Sequence, residues 1–304
     1  MCVIFLYILN ILINNELFKI IFILINMNTP IENSQKINSS NIKNSKGIII
    51  SILIAILLIT ALSLILVLCL KESKKRPRGR TSEKINILPP LVLNSTSGKH
   101  THTIIFLPGF SSVPEDFFNV FTNRLNYNKK NDTNVVILRS PLTYVSLVNG
   151  TNYSWFDMYR FPFSNDSDYN FNDLKKSARI LHEVIKNEAN ALGGKYENII
   201  IGGHSQGACI SLYEGYNTYN NLGGLFSFSG VLPQGKIRQD KNDFNVYFGY
   251  GDQDNIILPS YFNESIQRIK DFDGFNLYIY KNHTHYVNHQ ETDDVSEFLN
   301  KIMV

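Results

Sequence analysis

Two kinds of apolar run divide this chain. The longest, Ile48–Leu70, reads IIISILIAILLITALSLILVLCL, 23 residues with no charge and only Ser51, Thr60 and Ser63 as clearly polar members. Wound as a helix it would extend about 35 Å, against about 30 Å of hydrocarbon in a bilayer. It has no polar face to turn toward water. The pattern predicts a transmembrane helix over 47–70. From Thr101 onward the pattern changes to short runs with strand character: Thr103–Leu107, Val135–Leu138, Asn198–Ile201, Gly224–Phe228, Val246–Gly249 and Asn276–Tyr280. Between them Phe171, Leu174, Ala178, Leu181, Val184, Ile185 and Ala189 recur at helical spacing, as do Val295, Phe298, Leu299 and Ile302 near the end. Apolar strands alternating with amphipathic helices predict an α/β class, a mostly parallel twisted sheet with helices on both faces.

The rest of the chain sorts around these two patterns. Residues 1–46 read as a poorly structured N-terminal region. Its first 26 residues are apolar but interrupted by Asn14, Asn15, Glu16 and Lys19, and they lack the basic start of a secretory signal. That stretch is expected either to form a second span or to fall outside the mature product, with Met27 as the start. Asn28–Lys46 is polar and aperiodic, the pattern of disorder. Residues 71–100 read as a basic linker and 101–304 as the folded domain. The totals of Lys+Arg 29 and Asp+Glu 26 leave a net charge of +3, too little for a general nucleic-acid surface. The excess gathers locally, with six basic residues in Lys71–Arg80 against Lys36, Lys43 and Lys46 before the apolar run. By the positive-inside bias the C-terminal domain is expected on the cytoplasmic side of a single-pass anchor. Cys2, Cys69 and Cys209 are three and widely separated, which excludes a disulfide scaffold and a Cys-rich zinc site.

The candidate chemistry lies in NIIIGGHSQGACISL, starting at Asn198. A strand-like run enters Gly203-His204-Ser205-Gln206-Gly207 and a helix-compatible run leaves it, the context of a G-x-S-x-G nucleophile elbow. The turn from strand to helix is so tight that side chains two before and two after the serine would collide, hence the glycines. A serine hydroxyl is a poor nucleophile until a base takes its proton, and the base needs a carboxylate to orient it. In this arrangement the acid and then the histidine follow the serine in the chain. Asp252 and Asp254 lie just past Val246–Gly249, and His283, His285 and His289 lie past Asn276–Tyr280. All sit on loops after strand ends, the edge where Ser205 emerges. Spacing alone selects neither between the two acids nor among the three imidazoles. Cys209 would lie inside the helix, four residues past the serine, and is not placed for a relay.

Five segments in order, Phe106-Leu-Pro-Gly-Phe110, Ser154-Trp-Phe-Asp157, Gly202-Gly-His-Ser-Gln-Gly-Ala208, Gly251-Asp-Gln-Asp254 and His285-Tyr-Val-Asn-His-Gln-Glu291, resemble the acyl-protein thioesterase or lysophospholipase-like carboxylesterase family of α/β hydrolases. The resemblance runs from about Thr101 to the C-terminus and implies an α/β-hydrolase fold. It implies Ser205 as nucleophile, Asp254 as orienting acid, His285 as base, and the backbone N–H groups of Phe110 and Gln206 as an oxyanion hole. It leaves the role of Trp155-Phe156-Asp157 open between cleft wall and core packing. The chain departs from the family in carrying Pro108-Gly109 where His-Gly is usual, and Leu258 with Pro259 following where a proline is usual one place earlier. The implied substrates are acyl esters or thioesters, palmitoylated proteins or lysophospholipids, met at a lipid bilayer through the 48–70 anchor. No metal or organic cofactor is implied.

Overall fold

The computed structural model describes residues 88–217, 221–235, 237 and 244–303. The span expected over 47–70 and everything before it lie outside the described residues. Among the described ones, no helix is long and apolar enough to cross a membrane.

Seven strands form one sheet. β1 (Leu91–Leu93), β2 (His102–Leu107) and β3 (Thr133–Ile137) come first, and a separate hairpin follows from β4 (Leu142–Val145) and β5 (Gly150–Tyr153). The sheet resumes with β6 (Ile199–His204), β7 (Gly224–Phe228), β8 (Asn245–Gly251) and β9 (Phe275–Tyr280). Their order across the sheet is β1-β3-β2-β6-β7-β8-β9. Every neighbouring pair is parallel except β1 with β3. Residues of β2, β6 and β7 are buried throughout, as strands covered on both faces must be. Four helices, α1 (Phe171–Ala191), α2 (Gln206–Asn217), α3 (Pro259–Gln267) and α4 (His289–Ile302), supply the cover.

The two faces separate by strand alternation. Ile105 and Leu107 of β2 pack on one side with Leu174 and Leu181 of α1, Ile210 of α2 and Phe262 of α3. Ile104 and Phe106 pack on the other with Val295, Phe298 and Leu299 of α4, joined by Phe117 and Phe121. Full burial of each such side chain is worth about 1.5–3 kcal/mol of transfer free energy, so register is strongly held. The helix entries are chemically marked. Asn170 caps α1 by accepting from the Asn172 and Asp173 N–H groups, and Asn288 and Glu291 cap α4 reciprocally.

β2 leads to β3 on one side while β6 adds on the other, so the strand order reverses between β2 and β6. Crevices that bind ligands form beyond the carboxyl ends of the strands at such a switch point. Three elements were not anticipated from the sequence pattern. β1 is three residues long and belongs to the stretch read as linker; the β4–β5 hairpin and α3 are short and carry weak periodicity.

Candidate active site

β6 is buried up to His204, and the chain then turns abruptly into α2. Ser205 at the turn adopts φ 54°, in the left-handed region. The flanking glycines explain how the turn closes. A Cβ on Gly203 would lie 2.4 Å from the Gly207 carbonyl carbon, and one on Gly207 would lie 2.0 Å from the Leu107 carbonyl oxygen. The strained serine is pinned by its N–H donating to the Phe228 oxygen (2.9 Å), and its own oxygen accepts from Cys209 N–H (3.0 Å).

The loops after β8 and β9 bring the other two groups together. His285 Nδ1 lies 2.7 Å from Asp254 Oδ2, and both residues are buried. Asp254 Oδ1 accepts the Ile256 and Ile257 N–H groups at 2.8 and 2.9 Å, which fixes the carboxylate plane. Since the carboxylate faces Nδ1, that nitrogen carries the proton and Nε2 presents its lone pair. Nε2 of His285 is buried without a hydrogen-bond partner. Ser205 and His285 line one cavity of about 470 Å³. Of the alternatives left open by spacing, Asp252 is exposed, His289 opens α4 exposed to solvent, and His283 Nε2 is directed to the Tyr286 carbonyl. Cys209 is buried in α2, and burial pushes its thiol up to about 12.

The N–H groups of Phe110 and Gln206 donate to no acceptor among the described residues. They flank the serine from the β2 turn and from the first turn of α2, whose N-terminal end carries positive partial charge. The side chain of Gln206 does different work from its backbone. Its Oε1 accepts from Trp155 N–H (3.0 Å) and its Nε2 donates to the Phe156 oxygen (3.0 Å). Trp155 Nε1 in turn donates to the Pro108 oxygen at 2.8 Å. Ser154-Trp155-Phe156 therefore straps the β2 turn to the elbow from within the core, where Trp155 and Phe156 are almost fully buried. Asp157 anchors the strap by accepting from Ser146 N–H and Oγ–H at 2.7 Å each. The Pro108-Gly109 departure fits this arrangement: proline offers its carbonyl to Trp155 and needs no N–H. Pro259 likewise loses nothing, standing first in α3 where its missing N–H has no intrahelical partner.

Two neighbours escaped the sequence reading. His204, the variable residue of the elbow, donates through Nε2 to the His285 carbonyl oxygen (2.9 Å), so it holds the backbone of the candidate base. Burial, and then the nearby His285, push its own pKa down to about 4, so it is neutral. Glu291 is fully buried at the start of α4, with Oε2 accepting from Asn288 N–H (2.9 Å) and Oε1 unpartnered. Burial pushes its carboxyl up to about 7, opposed by the Asn288 bond and aided by Asp294 and Asp254. The only advance signal for either was a place inside a motif segment, with no role attached to it. No group of three or more His, Cys, Asp or Glu that could hold a metal ion occurs among the described residues.

Glu291 makes folding pH-dependent. The unfolded carboxyl loses its proton near 4.5 while the folded one keeps it to about 7, so its contribution is full below 4.5 and is lost as pH rises through this window. The loss is on the order of 3 kcal/mol at 1.36 kcal/mol per pH unit. Glu291→Gln retains the capping geometry without the charge. Burial of neutral His204 acts in the opposite direction over much of this window, so Glu291 is read from the difference between the two proteins: the urea midpoint of Glu291→Gln is expected to rise relative to the wild type as pH increases, and parallel profiles would refute the assignment.

The chain belongs to the Phospholipase/Carboxylesterase family, which it matches over residues 90–303. It is 31% identical over 159 residues to acyl-protein thioesterase 1 of Kluyveromyces lactis, an alignment covering 49% of this chain and 69% of that protein. With acyl-protein thioesterase 1 of Saccharomyces cerevisiae the identity is 29% over 213 residues, covering 66% of this chain and 92% of that protein. The crystal structure of Zea mays acyl-protein thioesterase 2 superposes with a TM-score of 0.56 at 21% identity, covering 71% and 99% of the two chains. A Bacillus cereus carboxylesterase superposes at 0.53 and 16% identity, over 70% and 93%. At these identities the structural likeness establishes the α/β-hydrolase fold.

Proposed function

We propose that the protein is a serine hydrolase of long-chain acyl esters or thioesters, with protein-bound palmitoyl thioesters as its first substrate class and lysophospholipids as its second. The observation that carries this reading is the buried Asp254–His285 bond at 2.7 Å, which leaves Nε2 as the proton acceptor of a histidine that lines the same cavity as Ser205. Ser205 Oγ bonds to the acyl carbon while Nε2 takes its proton. The carbonyl oxygen becomes an oxyanion facing the Phe110 and Gln206 N–H groups, each such donor being worth about 3 kcal/mol. Collapse expels the thiolate or alkoxide, which takes the proton from His285. Water then repeats the sequence and releases the acid.

The reaction is assigned to a membrane surface on the cytoplasmic side. The uncharged run Ile48–Leu70 and its basic flank support this. So does the fold: Leu91 pairs with Ile137 in the antiparallel β1–β3 ladder, so the chain preceding β1 joins the domain at the edge where Ser205 emerges. Only a short stretch of sequence separates the uncharged run from β1, and tethering of this kind raises the effective concentration of lipid-borne substrate.

The test is a fluorophosphonate probe on the full chain, with Ser205→Ala as control, followed by turnover of a palmitoyl thioester and of p-nitrophenyl acetate. Labelling that vanishes in the control is expected, with kcat/KM favouring the long thioester by about tenfold or more, the value of a few buried methylenes. No labelling of folded protein would mark a binding module instead. Preference for acetate would mark a small-ester carboxylesterase.

A further inference from the structure

The cavity around Ser205 is lined by carbon with a small polar contingent. Phe161, Ile256 and Val287 come from separate loops and present carbon. The segment 112–124 adds Phe117 and Val120 and brings the polar groups Ser112, Asp116, Asn119 and Arg124. Arg124 ends a π-helical turn, Val120–Arg124, closed by Leu125 N–H donating to the Val120 oxygen at 2.9 Å. Such wide turns concentrate at functional sites because they redirect side chains that an α-helix would place elsewhere. Here Phe121 and Leu125 are buried in the core and clamp the turn from behind, so Arg124 is held at the cavity.

Its charge is uncommitted. Arg139 pairs with Glu115 and Arg160 with Asp168, both at 2.6 Å, whereas Arg124 forms no ion pair among the described residues. The one acid among the lining residues, Asp116, accepts the Val113 N–H through Oδ2 at 2.9 Å and lies beyond ion-pair distance of Arg124. A guanidinium is a fixed cation whose planar fork matches a carboxylate or phosphate oxygen pair.

Resting on the reading of Ser205 as nucleophile, we propose that Arg124 is a specificity residue that binds an anionic group, phosphate or carboxylate, on the leaving portion of the substrate. The acyl chain is assigned to the carbon-lined part of the cavity, which leaves Arg124 to the group that departs. Hydrolysis proceeds as above with no added step; Arg124 strengthens binding of charged leaving portions over neutral ones.

The experiment uses two chromogenic esters with the same acyl chain, one leaving as 4-nitrophenolate and one as its 3-carboxy derivative, on the full chain. The kcat/KM ratio of charged over neutral ester is expected to fall about tenfold in Arg124→Gln, the worth of one charge-assisted hydrogen bond. Arg124→Lys should restore part of the ratio, and added salt should shrink it in the wild type. An unchanged ratio in Arg124→Gln overturns the proposal. Failure of the hydrolase reading looks different, with neither ester turned over. In that case calorimetric binding of dodecyl phosphate still decides: Arg124→Gln should weaken it about tenfold, and equal affinity for wild type and variant refutes the site.

Discussion

Asp254→Asn is expected to lower kcat by about ten-thousandfold while the protein stays folded. The carboxylate has two duties, and asparagine keeps only one. Its Oδ1 would still accept from the Ile256 and Ile257 N–H groups, so the loop retains its shape. That orientation turns the amide NH2 toward His285 Nδ1, where Oδ2 stands now. Two donors cannot face each other, so Nδ1 gives up its proton and Nε2 acquires one. Nε2 then carries an N–H rather than a lone pair, and the base is lost without loss of the ring. Circular dichroism and urea midpoint should report a native fold. Asp252→Asn, two residues away and exposed, is the matched control and should retain activity. If Asp254→Asn kept wild-type kcat and Asp252→Asn did not, the acid would be misassigned.

Gly207→Ala is the second large effect. A methyl group there would lie 2.0 Å from the Leu107 carbonyl oxygen and 2.5 Å from the Pro108 oxygen, both backbone atoms. Neither atom belongs to a flexible side chain, so β2 and α2 must separate. Overpacking of this kind costs about 1–3 kcal/mol. The displacement falls on the turn that carries Phe110, because the Pro108 carbonyl is also the acceptor for Trp155 Nε1. A shift of about 1 Å in an oxyanion donor is enough to reduce kcat about a hundredfold. Thermal unfolding together with single-turnover acylation would measure both losses. A stable, fully active Gly207→Ala protein would refute the steric account of the elbow.

The parts of this site legible in the sequence are those that sterics forces into a fixed spacing. Glycines two residues to either side of Ser205 are such a case, because the contact they relieve is local. Buried parallel strands were legible as well, since double-sided burial leaves an unbroken apolar run. Gly224–Phe228 matches to the residue, and the other five runs fall within two residues or so of their strand ends, β6 aside, which continues through the glycines to His204. What stayed hidden depends on how loops fold against each other. Asp254 and Asp252 are alike in spacing, and the choice is made where Gly251 packs so closely that a Cβ would lie 2.3 Å from the His283 oxygen. Family resemblance pointed to the same pair, but spacing alone did not. The Gln206 side chain reaches Trp155, 51 positions earlier, through contacts that leave no periodic trace. β1, at three residues, is shorter than any pattern can resolve, and its pairing with β3 exists only once the sheet has formed.

The positive φ of Ser205 also limits which nucleophiles this scaffold could ever use. A branched Cβ is especially poorly tolerated in the left-handed region, where it crowds the adjoining peptide groups. Cysteine, unbranched and of similar size, could occupy the position with the backbone unchanged; threonine, though it bears the same hydroxyl, could not without reopening the turn. A change to thiol chemistry is therefore a single substitution away, while the threonine route is closed by geometry rather than by reactivity.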